Sequence, residues 1–321
     1  MRKNKGFNSV LSLLVAALFF NASISVLLGA DLINESLIEK SLPKITLIID
    51  DVGNNHLLGL RSAKLPSEVA LSILPHTNFS DEIANFAHQR GMDILLHQPM
   101  ESITNVNLLG PGSLLKSMDR KQFNLVLHEN LKVVPFVIGL NNHMGSLLTA
   151  DKQKMNWLME ELKQRQLFFI DSRTTTETIA EKTALDWQVP TERRKVFLDH
   201  LDDPQAIAEQ FKRLLNIAQK NGHAIAIGHP RENTLDFLEN KLSALDGVQF
   251  TLVPVSQLMN NLSSHHLSKN SSKNLSIKNQ APRASFYVNC HCFDLKNFNY
   301  PSSINSQLTG SPVAITNCLV H

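Results

Sequence analysis

Cysteine is nearly missing from this chain: the only three, Cys290, Cys292 and Cys318, fall in its last tenth. No disulfide can therefore staple the remainder, which must rest on an ordinary hydrophobic core. Tryptophan is limited to Trp157 and Trp187. Between Ile45 and Leu258, where nearly all the periodic apolar pattern lies, there is no Pro/Gly/Ser-rich linker, so one domain is favoured over two. The formal charge of +2 turns slightly negative once Arg2, Lys3 and Lys5 are set aside. No Arg/Lys stripe interleaved with aromatics runs through the body, which leaves nucleic-acid binding without support. Long apolar runs are absent too, except "VLSLLVAALFF" near the start.

That run follows Arg2, Lys3 and Lys5 and precedes the small residues of "NASISVLLGA", the layout of a secretory signal segment over residues 1–30. The mature chain is expected to begin near Asp31. A retained single-span anchor is the rival reading, although the unbroken apolar core is shorter than the ~20 residues a bilayer span needs. A basic leader and a cysteine-poor body point to the periplasm of a bacterial envelope, with no stable span once the leader is gone. Residues 31–260 are expected to form the folded domain. From 261 to 321 the text becomes rich in Ser, Asn and Lys, and is expected to be a flexible low-complexity tail. There, His265, His266, His291 and Cys292 offer at most adventitious metal ligands.

The body repeats one unit: a short aliphatic run, a polar tip, then a helical period. The runs are "ITLII" at 45, "VALSIL" at 69, "MDILL" at 92, "VVPFVIG" at 133, "LFFI" at 167, "VFL" at 196 and "HAIAIG" at 223, with "VQFTLVP" at 248 as an eighth candidate. Their nearly unbroken apolar character suits parallel strands covered on both faces. Asp203 and Pro204 predict a helix start, Ile207, Phe211, Leu214, Leu215 and Ala218 its buried face, and Gly222 its stop. Met155, Leu158, Met159 and Leu162 predict another buried face, as do Ile83, Ala84 and Ala87. Such alternation predicts an α/β fold, a β/α barrel whose site is assembled at the carboxyl ends of its strands. A doubly wound open sheet is the alternative.

The polar tips hold the chemistry. Directly after successive runs come "DD" at 50, "HQPME" at 97, "NNHMGS" at 141, "DSRT" at 171, "DH" at 199 and "GHP" at 228. Parallel strands would bring them all to one mouth. Imidazole and carboxylate suit a borderline divalent cation such as zinc, and three protein ligands with an open position make a catalytic arrangement. Asp51, His97 and His143 can supply that set. Neighbouring side chains on a strand point to opposite faces, so Asp51 could hold the ion while Asp50 takes a proton from an attacking water. His229, between Gly228 and Pro230, could act as the proton donor on the leaving-group side. Asp171 could bind His229 or Arg173 and tune either. Asn142, Glu101 and Arg173 belong to the same tips as supporting residues. His200 beside Asp199 is left open.

With these residues in place, "IIDDVG", "LLHQPMES", "NNHMGS", "FFIDSRT" and "AIGHP", in that order, resemble the divergent polysaccharide deacetylase family, relatives of the NodB-like carbohydrate esterases. The resemblance implies a distorted (β/α) barrel of about seven strands and a metal-dependent removal of acetyl groups from an envelope polysaccharide or peptidoglycan-derived glycan. It assigns the base to Asp50, ligands to Asp51, His97 and His143, and the acid to His229. The parent pattern sets its two ligand histidines four residues apart on one motif, and here that spacing from His97 reaches Glu101. The second ligand must come from another loop, or Glu101 takes its place. An Arg-x-Pro-Tyr segment that shapes the parent groove is missing, and aromatic platforms for sugars are few. A catalytically silent carbohydrate-binding or scaffold protein with an envelope protein partner is the alternative.

Overall fold

A computed structural model describes residues 42–243 and 249–262. The expected leader, nearly all of the expected tail, its histidines and all the cysteines lie outside the described residues. No helix among the described residues is long and apolar enough to cross a membrane.

Among the described residues, nine strands form one parallel sheet: β1 Lys44–Val52, β2 Ala70–Ile73, β3 Ile94–Met100, β4 Val137–Met144, β5 Phe168–Asp171, β6 Thr191–Arg193, β7 Val196–Phe197, β8 His223–Gly228 and β9 Thr251–Leu252. The order is β6-β5-β4-β3-β2-β1-β8-β7, with β9 joined to the start of β1. Among the described residues no ladder joins β6 to β7, so the sheet curls into a distorted barrel with one unsealed seam. Each of the eight aliphatic runs holds a strand. The ninth, β6, is the polar triplet Thr191–Arg193, which carries no apolar signal because it lies at an edge and is only half-buried.

Alternation along the strands divides the core in two. Ile45, Leu47 and Ile49 of β1 face the helices, with Leu71, Leu96, Leu140 and Phe169 of the neighbouring strands. Ile48, Ala70, Leu95, Phe168, Ile170 and Ile225 face inward, where Val253, Val255, Leu258 and Met259 pack against them and plug the barrel. Each such fully buried aliphatic side chain contributes ~1.5–3 kcal/mol. Gly139 of β4 leaves room for the Phe168 ring, whose Cε2 would lie 2.3 Å from any added Cβ.

The helices start and stop as their ends dictate. Asp203 accepts from the Ala206 amide at 2.8 Å ahead of helix Pro204–Asn221, and Gly222 ends it with φ 83°. Ile207, Phe211, Leu214 and Ala218 form its buried face. Asp151 caps Lys152–Gln164 in the same way, with Met155, Leu158, Met159 and Leu162 turned into the core.

One local feature departs from the strand alternation expected of adjacent aspartates. The pairing of β1 with β2 shifts between Ile49 and Val52, and Asp51 takes a left-handed backbone, φ 57°. This irregularity turns Asp51 toward the side that Asp50 already faces. The two carboxylates therefore share one cleft instead of opposite faces.

Candidate metal centre and active site

The inward face that is apolar low in the barrel becomes polar at its mouth. Asp50 of β1, Ser72 of β2, His97 of β3 and Asn141 of β4 are all buried. Register sets His97 opposite Asn141 and Pro99 opposite His143, so β3 and β4 deliver both imidazoles to one spot. Gly145, at φ 88°, makes the turn just after the second.

Asp51, His97 and His143 form a cluster able to coordinate a divalent cation, their ligand atoms all within 4.8 Å of one another. Asp51 Oδ1 lies 2.8 Å from His143 Nδ1 and 3.1 Å from His97 Nε2. It is buried, yet meets hydrogen-bond alignment with neither. The two imidazole nitrogens are 3.2 Å apart. Three lone-pair donors turned on one another need something positive among them, and this donor set fits zinc or a similar ion.

Asn141 fixes the arrangement. His97 Nδ1 donates to Asn141 Oδ1 at 2.7 Å, which leaves Nε2 for the cluster. The same amide accepts from Ser72 Oγ and donates through Nδ2 to Asp50 Oδ1 at 2.7 Å. One side chain thus orients both a candidate ligand and the neighbouring carboxylate.

Electrostatics separate the groups. Burial raises the Asp50 carboxyl, outweighing His97, His229 and the Asn141 hydrogen bond. Burial acts the same way on Asp51 but is overcome by His143 and His97, which hold it well below the carboxylate range. For His97, burial disfavours the charged ring, yet Asp50 and Asp51 lift it to about 9. Protons and a cation compete for that space.

His229 stands across the cleft, its Nε2 3.7 Å from Asp51 Oδ2. Asp199 anchors it twice, accepting from Nδ1 at 2.9 Å and from the backbone amide at 2.7 Å. Thr234 Oγ1 donates to Asp199 at 2.8 Å, and the Phe197 ring meets the imidazole edge-on at 5.0 Å. Burial opposes charge on His229, but Asp199 chiefly, with Asp51 and Asp50, raises it.

Five residues read from the sequence, Asp50, Asp51, His97, His143 and His229, thus meet at one mouth. Glu101 does not join them: its carboxylate accepts from the Lys116 amide and its carbonyl from Leu147 and Leu148, because β3 ends there and the chain turns away. The second imidazole comes from β4. Asp171 does not reach His229 either; it accepts from the Arg173 amide at 2.8 Å and from Thr178 Oγ1 at 2.9 Å, closing the tip of β5. Asn142 braces the same tip, accepting from the Ser172 amide at 2.9 Å and donating to the Met144 carbonyl at 2.7 Å. The sequence reading missed Asn141 and left Asp199 unassigned. Asn141 lies two residues before His143, hence on the same strand face, and Asp199 closes the apolar run "VFL"; both signals were in the text.

The fold is a distorted (β/α) barrel whose mouth holds a cluster able to coordinate a divalent cation. Residues 47–259 match the model of the family described as divergent polysaccharide deacetylase, and the chain belongs to that family. An uncharacterized protein of Haemophilus influenzae is 37% identical over 202 residues, covering 63% of this chain and 72% of that protein. The uncharacterized protein YibQ of Escherichia coli K12 is 33% identical over 217 residues, covering 68% of this chain and 67% of YibQ. Among solved structures, an uncharacterized protein from Agrobacterium tumefaciens shares the fold with a TM-score of 0.65 at 22% identity, over 68% of this chain and 89% of that one.

Proposed function

We propose that this protein is a divalent-metal-dependent hydrolase of the periplasm that removes acetyl groups from an envelope polysaccharide or peptidoglycan-derived glycan. One observation carries the reading. Around a single cleft stand a ligand set, Asp51, His97 and His143, a buried carboxylate outside that set, Asp50, and an imidazole backed by its own carboxylate, His229 with Asp199. A purely structural ion has no use for the last two.

Zinc, when bound, would lower the pKa of water and polarise the acyl carbonyl. The rest belongs to the chain's own residues. Asp50, its carboxyl raised by burial and steadied by Asn141 Nδ2, takes a proton from the water whose oxygen adds to the carbonyl carbon. His229, with Nδ1 held by Asp199, presents Nε2 to the departing nitrogen or oxygen and gives it a proton as the acyl bond breaks. Acetate and a free amine or hydroxyl result.

The test is acetate release from acetylated oligosaccharides and peptidoglycan fragments with added zinc. Asp50→Asn and His229→Ala are each expected to lose on the order of 10²-fold or more in rate, with zinc content retained. If wild type, folded and zinc-loaded, releases no more acetate than either variant, deacetylation of these substrates is refuted and a silent binding role takes its place.

A further inference from the structure

The cleft has two arms that share Asp51, His143 and Met144. The first, of about 470 Å³, is walled by Leu74, Pro75, Leu108 and Pro111. The second, of about 380 Å³, holds Asp50 and His229 and is also lined by Ser172, Arg173 and Arg194. The guanidinium groups on this second flank make no direct carboxylate contact among the described residues, although Asp50 favours the charge of Arg194 from a distance. Arg194 spends Nε on the Ser172 carbonyl at 2.7 Å and Nη2 on the Arg173 carbonyl at 2.9 Å, its Cζ lies over the Phe197 ring at 5.1 Å from the centroid, and among the described residues its Nη1 forms no hydrogen bond. Neither Arg173 nor Arg194 forms an ion pair among the described residues, whereas the adjoining Arg193 pairs with Glu181. Ser172, 5% exposed, has a buried Oγ with no hydrogen-bond partner. Arg173 itself holds a left-handed backbone, φ 53°, fixed by Asp171 and Arg194. A long side chain kept in that conformation costs energy that the surrounding contacts must offset.

We infer that the substrate of this site carries an oxyanion, a carboxylate or phosphate, on the leaving-group side of its scissile acyl bond, received by Arg173, Arg194 and Ser172 Oγ. The side follows from His229, which lines only this arm and would protonate the departing group; the inference therefore rests on the hydrolase reading above. Guanidinium groups suit such oxyanions because their charge is permanent and their donors are planar. They also counter Asp50 and Asp51, which alone would repel an anion. Hydrolysis then gives acetate and an anionic amino or hydroxy sugar.

Binding tests the inference without turnover. Calorimetry on the zinc-loaded full chain carrying Asp50→Asn would compare three ligands: an N-acetylglucosamine disaccharide, the same sugar with an ether-linked lactate, and its phosphate monoester. At least one anionic ligand is expected to bind ten times or more tighter than the neutral one, and the tighter of the two identifies the oxyanion. Arg173→Gln is expected to remove roughly 10- to 100-fold from the anionic ligand and to spare the neutral one. Arg194→Gln serves as the second variant, since Arg194 also supports the tip of β5. Equal affinity for all three ligands, no binding of either anion, or a uniform loss in Arg173→Gln overturns the inference. Acetate released equally from neutral and anionic sugars would uphold hydrolysis and overturn the anion site. Selective binding without acetate release would uphold the anion site and overturn hydrolysis.

Discussion

The interior of the barrel is two different materials along the same strands. On β1 the inward residues run from Ile48 to Asp50, on β3 from Leu95 to His97, on β2 from Ala70 to Ser72, on β4 from Gly139 to Asn141. The lower layer is apolar and closed by Val253, Val255, Leu258 and Met259. Two residues further on, the upper layer is a buried polar network of Asn141, Ser72, His97 and Asp50. The lower half provides burial, which favours folding, and the upper half concentrates charge, which opposes it. A rigid floor one turn of the pleat below is what lets the mouth hold carboxylates and imidazoles in fixed positions.

The largest effect that would break this division is expected in the floor. Leu95→Ala should cost about 2–5 kcal/mol of stability through lost burial and an unfilled cavity, while the folded fraction keeps its zinc stoichiometry. Urea unfolding with elemental analysis reads both. Loss of zinc with unchanged stability would show that the layers are not separate.

A middle-sized effect belongs to the mouth. Asn141→Ala frees the His97 ring and the Asp50 carboxylate together, and should weaken zinc affinity by about 10- to 100-fold. Competition against a chromophoric chelator measures it. Unchanged affinity would mean that the packing around His97, not the amide, sets its tautomer.

The smallest effect lies at the seam, where Glu192 of β6 reaches His223 at the start of β8 at 2.8 Å and Lys195 at 2.7 Å. Burial opposes ionisation there, but those hydrogen bonds bring Glu192 down from 4.5 to about 2. A depressed carboxylate stabilises the fold above its unfolded pKa and loses that contribution as pH falls through the folded one. Glu192→Gln should therefore cost about 1–2 kcal/mol at neutral pH, after allowance for solvent screening. The gap between variant and wild type should narrow below pH 4.5 and close near pH 2. Urea titrations at neutral and acidic pH check this; a gap independent of pH would assign the loss to packing.

Much of this was legible in the text because parallel strands are apolar on both faces and their tips carry the chemistry. The runs at 45, 92, 133 and 223 located β1, β3, β4 and β8, and with them Asp50, Asp51, His97, His143 and His229. What sequence spacing could not give was cross-strand register. Asn141 matters because it stands opposite His97, and Asp199 because β7 runs beside β8. Glu101 was drawn in by its distance along the chain from His97, which says nothing of where β3 stops. Asp51 escaped alternation because a single left-handed residue resets the pleat, and nothing in "IDDVG" announces that.

The position of β1 also fixes a timetable. It is the first strand among the described residues, yet its flanks are β2 on one side and β8 and β9, the last two described strands, on the other. Asp50 and Asp51 thus wait, half-framed, until His229 and the closing segment through Met259 have been made and docked. Pairings between residues as distant as Ile49 and Gly228 form slowly. A strand completed only by pairing with segments that lie so far along the described sequence leaves the site unassembled until those segments have been made.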